Sequence, residues 1–247
     1  MNSIRNKVVV ITGASSGIGA ATARAIAGRG GLVVGGALDE AGLATMVDGI
    51  RAEGGTADPF VVDVTDPARA QELVDFAVER FGTVDVLINN AGLMFFSSWK
   101  DLALDEWNQM IDVNIRGYLN TIHAVLPRML ERGSGHIVNM ASLAGHVAHT
   151  GAGVYSATKF FVSAVTDSLR KELSAEHGIR ATAISPGVIN TGWETKLSDP
   201  TARASAGELA KIAIEPESVA LAVLYAIDQP AEVTINDLLI SPTRQVW

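Results

Sequence analysis

Short β-branched apolar runs alternate along this chain with longer stretches in which apolar residues recur every three or four positions. The first run, residues 7–12, reads as a buried strand, and the Ala-rich stretch 17–29 as the helix after it. Residues 32–36 form a second strand, followed by a helix over 40–53 that Gly54 and Gly55 stop. The third strand spans 57–63, with Pro59 marking an irregular start. Thr65, Asp66 and Pro67 then cap a helix running to Arg80, with proline in the first turn, where its missing N–H costs nothing. Further strands are predicted over 84–89, 136–141, 179–185 and 238–241, and further helices over 105–132, 154–177 and 216–228. Continuous apolar strands bracketed by amphipathic helices predict an α/β fold with a parallel sheet covered on both faces, because each parallel crossover needs a helix. The pattern fades over 187–215, which holds Gly192, Pro200 and Gly207 and reads as a lid loop over a site.

Composition narrows the class. The 247 residues suit one domain, 1–247, and 48% apolar against 19% charged residues supply a core and argue against disorder. The net charge of −8, without any Lys/Arg run, argues against nucleic acid or an anionic membrane as partner. There is no cysteine, hence no disulfide framework, thiolate nucleophile or Cys-based metal site. The apolar run Val8 to Ile11 is too short for a signal-peptide core, and no stretch approaches the roughly 20 apolar residues that span a bilayer. A soluble, cytoplasmic protein is the expectation. His146-x-x-His149 has no acidic residue or third histidine near it in sequence, so the pair is read as pocket-lining loop and no metal is expected. His123, His136 and His177 are read as structural, and Ser142 lacks the flanking glycines of a nucleophile elbow.

Thr12-Gly13-Ala14-Ser15-Ser16-Gly17-Ile18-Gly19 follows the first strand and opens the first helix. Glycines there let the backbone turn tightly and approach a pyrophosphate, whose charge the helix N-terminus favours. Tyr155 and Lys159 lie four residues apart, one turn of a helix. A lysine ammonium about 5 Å from the phenol, at an effective dielectric of about 20, is worth roughly 3 kcal/mol, which would draw the phenol down towards neutral pH unless burial outweighs it.

Together with Asp63-Val64, Asn89-Asn90-Ala91-Gly92, Asn114, Ser142, Tyr155-Ser156-Ala157-Thr158-Lys159, Pro186-Gly187 and Thr191, these residues make the sequence resemble the short-chain dehydrogenase/reductases along essentially its whole length. The resemblance implies a single-domain, Rossmann-type, doubly wound sheet of about seven strands. It implies that Tyr155 exchanges a proton with the carbonyl or alcohol oxygen, that Ser142 hydrogen-bonds that oxygen, and that Lys159 also holds the nicotinamide ribose. Asn114, mid-helix before Arg116-Gly117, is implied to sit at a local distortion that holds a relay water near Lys159. The cofactor is implied to lie on Gly13, Ser15, Ser16, Gly17, Ile18, Gly19, Ala37, Leu38, Asp39, Asp63, Val64, Asn90, Ala91, Gly92, Tyr155, Lys159, Pro186, Gly187, Val188 and Thr191.

Within this family an acidic residue ending the second strand selects NAD, whereas arginines just beyond it clamp the 2′-phosphate of NADP. This chain has neither: Ala37 stands at the acidic position and Leu38-Asp39 where Arg-Arg is common. Carboxylates nearby and no cation favour NAD(H), with NADP(H) still open, and Asp39 is the nearest carboxylate for the ribose, though offset. The chain's ending resembles broad-range bacterial carbonyl reductases. Met94, Phe96, Leu143, Ala144, His146, Val147 and Trp193 fall on loops above the strand ends and point to a small apolar or aromatic ketone or alcohol. A non-catalytic dinucleotide sensor and a Tyr–Lys isomerase on the same fold are the alternatives. Leu119, Ile122, Val125 and Met129 on one helix, and Phe160, Phe161, Ala164, Val165 and Leu169 on another, form stripes that imply a homodimer or homotetramer.

Overall fold

The computed structural model describes residues 4–193 and 200–246. Seven parallel strands form one sheet in the order β3-β2-β1-β4-β5-β6-β7. They are β1 (Val8–Thr12), β2 (Leu32–Ala37), β3 (Thr56–Val61), β4 (Val86–Asn89), β5 (Gly135–Met140), β6 (Ile179–Pro186) and β7 (Asp237–Ile240). The helices between them are α1 (Gly17–Ala27), α2 (Glu40–Ala52), α3 (Pro67–Phe81), α4 (Leu104–Ile111), α5 (Tyr118–Arg132), α6 (Gly153–His177), α7 (Pro200–Ala210) and α8 (Pro216–Ile227). Side-chain alternation along each strand feeds two cores. Val9 and Ile11 of β1 pack with α1, α2 and α8, while Val10 packs on the other face with α3 and α5.

The chain winds outward from β1 to β3 and then crosses back to β4 beside β1. That reversal opens a crevice beyond the carboxyl ends of β1 and β4, where open α/β sheets bind ligands. Local chemistry sets the helix starts as predicted. The Asp66 carboxylate accepts from the N–H groups of Ala68 (2.8 Å) and Arg69 (3.4 Å) ahead of Pro67, and Gly54, at φ +82°, follows the end of α2.

Three expectations change. Pro59 lies within β3, in register with Gly35, rather than at an irregular start. The strand is at the sheet edge, where only one side is laddered, so a missing donor is tolerated. The helix expected over 105–132 is interrupted: residues Asp112–Gly117 form a π-helical turn between α4 and α5. The segment 187–215 is not loop throughout, since α7 lies inside it. Its two ends are joined where Asn190 N–H donates to Ile214 O (2.9 Å) and Ile214 N–H to Val188 O (3.2 Å). Residues 194–199 of that segment lie outside the described residues.

Buried polar groups lock the sheet's centre to the helices. Thr121 donates to Asn89 Oδ1 (2.5 Å), Asn89 Nδ2 to Asn139 Oδ1 (3.0 Å), and Asn139 Nδ2 to Thr166 Oγ1 (2.9 Å). The chain of bonds runs from α5 through β4 and β5 to α6, so a slip of either helix would orphan a buried amide, at about 1–3 kcal/mol each.

Candidate active site

The glycine-rich turn is held from behind. Thr12 Oγ1 accepts from the N–H groups of Asn90 and Ala91, both at 3.0 Å. Asn90 Nδ2 donates to the carbonyls of Thr12 (3.0 Å) and Gly13 (3.1 Å). Gly13 sits at φ +65°, and its missing side chain lets the backbone of Ala91 approach; a Cβ there would fall 2.8 Å from Ala91 Cα. A Cβ on Gly19 would collide with the Gly13 carbonyl. Ser15, Ser16, Gly17 and Ile18 complete the turn, and Ser16 precedes α1 without its side chain capping the helix. First-turn N–H groups that no side chain caps are what an anion at a helix N-terminus uses.

Around this turn the structure gathers the other expected segments. Thr191 packs over Gly17. Gly187 N–H donates to Ile240 O (2.7 Å), and Val188 N–H to Gln245 Oε1 (3.0 Å), so β7 and the C-terminal tail hold the stretch after Pro186. Asp63 Oδ1 accepts from Thr65 N–H (2.9 Å) and Thr65 Oγ1 (2.8 Å), and Val64 is buried. Ala37 is buried, whereas Leu38 is 68% exposed. Asp39 caps α2, accepting from Gly42 N–H at 3.0 Å. One carboxylate oxygen is therefore engaged in the helix start, a local role that its sequence offset from the ribose position did not reveal.

Tyr155, Lys159 and Ser142 come together at the carboxyl end of β5. Gly153–His177 is one helix, so Tyr155 and Lys159 share a face. Lys159 is buried and its Nζ donates to Met140 O at 2.8 Å. The ammonium lies 5.6 Å from the Tyr118 ring centre and 5.8 Å from that of Tyr155. Burial lowers its pKa to about 8. Tyr155 behaves differently from the expectation that a neighbouring ammonium draws a phenol down. Burial pushes its pKa up and the hydrogen bond with Ser142 only partly opposes this. The reason is the loss of water around the phenol, which disfavours its charged form.

Asn114 lies in the π-helical turn, as a local distortion requires, and is fully buried. Its side chain is taken up by protein. Oδ1 accepts from Leu93 N–H (2.8 Å), and Nδ2 donates to Leu93 O (2.8 Å) and Thr158 Oγ1 (3.1 Å). Through these bonds it moors the Asn90-Ala91-Gly92 loop to α6, one residue before Lys159.

Of the expected pocket residues, Phe96 and Trp193 meet, with ring centres 5.7 Å apart, and join the loop after β4 to the segment after β6. Met94 is half-buried near them in sequence, and Val147 is exposed. Leu143 and Ala144 are buried, so they back the site more than they line it. His146 has an acidic neighbour after all: its Nε2 lies 3.2 Å from Asp237 Oδ2 of β7 and 3.1 Å from Ser185 Oγ. No group of three metal-ligating side chains occurs among the described residues. The sequence assigned no role to Tyr118, Thr158 or Asp237, because each makes its contact with a distant segment.

Residues 7–202 match the family model described as short chain dehydrogenase. An uncharacterized oxidoreductase of Staphylococcus saprophyticus is 44% identical over 250 residues, spanning 99% of each chain. Among solved structures, a closed serine dehydrogenase complexed with NADP+ is 30% identical with a TM-score of 0.89, covering 97% of this chain and 96% of its own. A short chain dehydrogenase/reductase from Burkholderia phymatum in complex with NAD is also 30% identical, with a TM-score of 0.86 over 97% and 90%. The switch-point crevice, the glycine turn and the Ser–Tyr–Lys grouping thus stand in a chain that belongs to the short chain dehydrogenase family of oxidoreductases.

Proposed function

We propose that this protein transfers a hydride between a nicotinamide dinucleotide and a ketone or secondary alcohol, with Tyr155 as the proton donor in reduction and acceptor in oxidation. The observation that carries this reading is the placement of Tyr155 one helical turn from a buried Lys159, whose Nζ lies 5.8 Å from the Tyr155 ring centre, with Ser142 at the end of β5 beside them; burial also raises the Tyr155 pKa above the usual phenol value. A phenol held protonated at neutral pH is a donor ready for an alkoxide as it forms. Ser142 supplies a second hydrogen bond to the same oxygen, where negative charge develops.

The uncapped start of α1 and the glycine backbone at Gly13 fit a pyrophosphate. The dinucleotide, when bound, supplies or accepts the hydride. Lys159 would hold its ribose, and Asp63, Val64, Asn90, Ala91, Gly92 and the stretch Pro186 to Thr191 would flank it. At the adenosine end an exposed Leu38 and the carboxylate of Asp39 offer no cation for a 2′-phosphate, which favours NAD(H). Phe96 and Trp193 make an aromatic wall suited to a small apolar or aromatic ketone, and residues 187–215 act as the lid. The test is absorbance at 340 nm with a ketone panel and each reduced dinucleotide in turn.

Assembly is proposed on a narrower surface than the helix stripes imply. Ile122, Val125 and Met129 are buried against the sheet, and Val165 and Leu169 pack beside them. Leu119, Leu130 and Phe160 stay exposed at 44%, 37% and 44%. These leave an apolar face on α5 and α6 for a second copy of the chain.

Tyr155→Phe removes only the phenolic proton, so turnover should fall by about three orders of magnitude or more while dinucleotide still binds; ketone reduction near the unaltered rate would overturn the mechanism. The pH dependence follows from Lys159. Its ammonium is present below about 8 and lost above it, whereas Tyr155 stays protonated throughout, so kcat/KM for reduction should be level on the acid side of 8 and fall as pH rises through it. Leu38→Arg adds a charge-assisted contact worth roughly 1.5–3 kcal/mol, so the ratio of kcat/KM for NADPH over NADH should rise about tenfold or more. An unaltered protein that strongly prefers NADPH contradicts the electrostatic reading. Light scattering behind size exclusion should show a dimer or tetramer that Phe160→Glu weakens; a fully active species of 25.9 kDa excludes assembly as a requirement.

A further inference from the structure

The turn that carries Ser142 is closed by bonds of its own and tied to its neighbours at a few points. The last ladder bond between β5 and β6 is Ala141 N–H to Ile184 O at 2.8 Å. Beyond it the chain enters a short 3₁₀ turn, Leu143–Gly145, and leaves the sheet. On one side this turn leans directly on α6, where a Cβ on Gly145 would fall 2.7 Å from the Lys159 carbonyl oxygen. On the other side two side chains bridge to β6. Ser142 Oγ lies 3.4 Å from Pro186 O, a long bond, and His146 Nε2 lies 3.1 Å from Ser185 Oγ.

Ser142 has one hydroxyl proton. When that proton is turned to Tyr155 or to a substrate oxygen, it no longer reaches Pro186. Among the described residues, the side-chain tie from the turn to β6 that then remains is His146, beyond the Ala141–Ile184 ladder bond. His146 is well fastened for this: Ser185 Oγ donates to Asp237 Oδ1 (2.9 Å), so the proton on His146 Nε2 is shared between Ser185 Oγ and Asp237 Oδ2. The three residues are not a hydrolytic relay. Both partners sit on the same ring nitrogen, and Ser185 is fully buried.

Resting on the function proposed above, we propose that His146, tied to Ser185 and Asp237, is a positioning residue that keeps the Ser142 turn wedged against α6, so that Ser142 and Tyr155 address one oxygen. The role assigned to it is positional, exerted through the ring nitrogen that Ser185 and Asp237 engage. Its effect is on orientation, to which rates are steeply sensitive: a displacement of about 1 Å can cost on the order of a hundredfold.

The experiment uses the full chain with [13Cζ]-tyrosine, which gives one NMR signal for each of the three tyrosines, Tyr118, Tyr155 and Tyr225. Tyr155→Phe assigns the signal, and Ser142→Ala marks where it goes when the serine hydrogen bond is lost. In His146→Ala and in Asp237→Ala the Tyr155 signal should move towards the Ser142→Ala position, with Tyr118 and Tyr225 unmoved. With a ketone that is turned over, His146→Ala should lower kcat about tenfold or more and leave KM for the dinucleotide unchanged. A Tyr155 signal unmoved by His146→Ala overturns the proposal, as does one that moves together with Tyr118 and Tyr225, which marks general loosening. If the unaltered protein reduces no ketone, the proposed function fails, and the tyrosine signals still decide whether His146 holds the turn.

Discussion

Everything at the site is arranged around a buried ammonium. Among the described residues no carboxylate pairs with Lys159 Nζ; its partner is the Met140 carbonyl at 2.8 Å, with two tyrosine rings close by. An isolated buried charge is costly, and the protein answers partly by lowering the group's pKa to about 8. Met140 O accepts a second bond, from Tyr118 Oη at 3.0 Å. That single carbonyl at the end of β5 therefore joins α5 and α6 to the sheet and sets where the Lys159 ammonium stands.

The rest of the scaffold restricts how far these groups drift. The bonds from Thr121 through Asn89 and Asn139 to Thr166 fix both helices against β4 and β5. Asn90 and Thr12 do the same for the glycine turn, and Asn114 for the loop after β4. Buried amides of this kind add little net stability when satisfied, but a mispaired arrangement leaves a polar group without water. They select one register, which is the property a site needs.

The π-helical turn at Asp112–Gly117 shows a local irregularity put to use. A regular helix over this span would carry each backbone bond at i−4; the wider turn lets the Asn114 side chain reach both polar groups of Leu93. The same segment then continues into α5, so the distortion is absorbed within one turn. Mooring of the loop after β4 is thus a consequence of one helix being interrupted.

Local signals made much of the fold legible in the sequence. Strand and helix alternation, the Asp66 cap, the glycine after α2, the glycine turn and the Tyr155–Lys159 spacing all depend on residues a few positions apart, and all appear where the pattern places them. What stayed hidden depends on which strands end up at an edge and which segments meet. Pro59 is tolerated inside β3 because that strand is last in the sheet. Asp237 reaches His146 because β7 lies beside β6. Asp39 caps a helix instead of standing free, and burial keeps the Tyr155 phenol protonated against a nearby lysine. Desolvation and long-range hydrogen bonds are properties of the packed chain, since each depends on what excludes water at that point; periodicity and spacing carry no record of it.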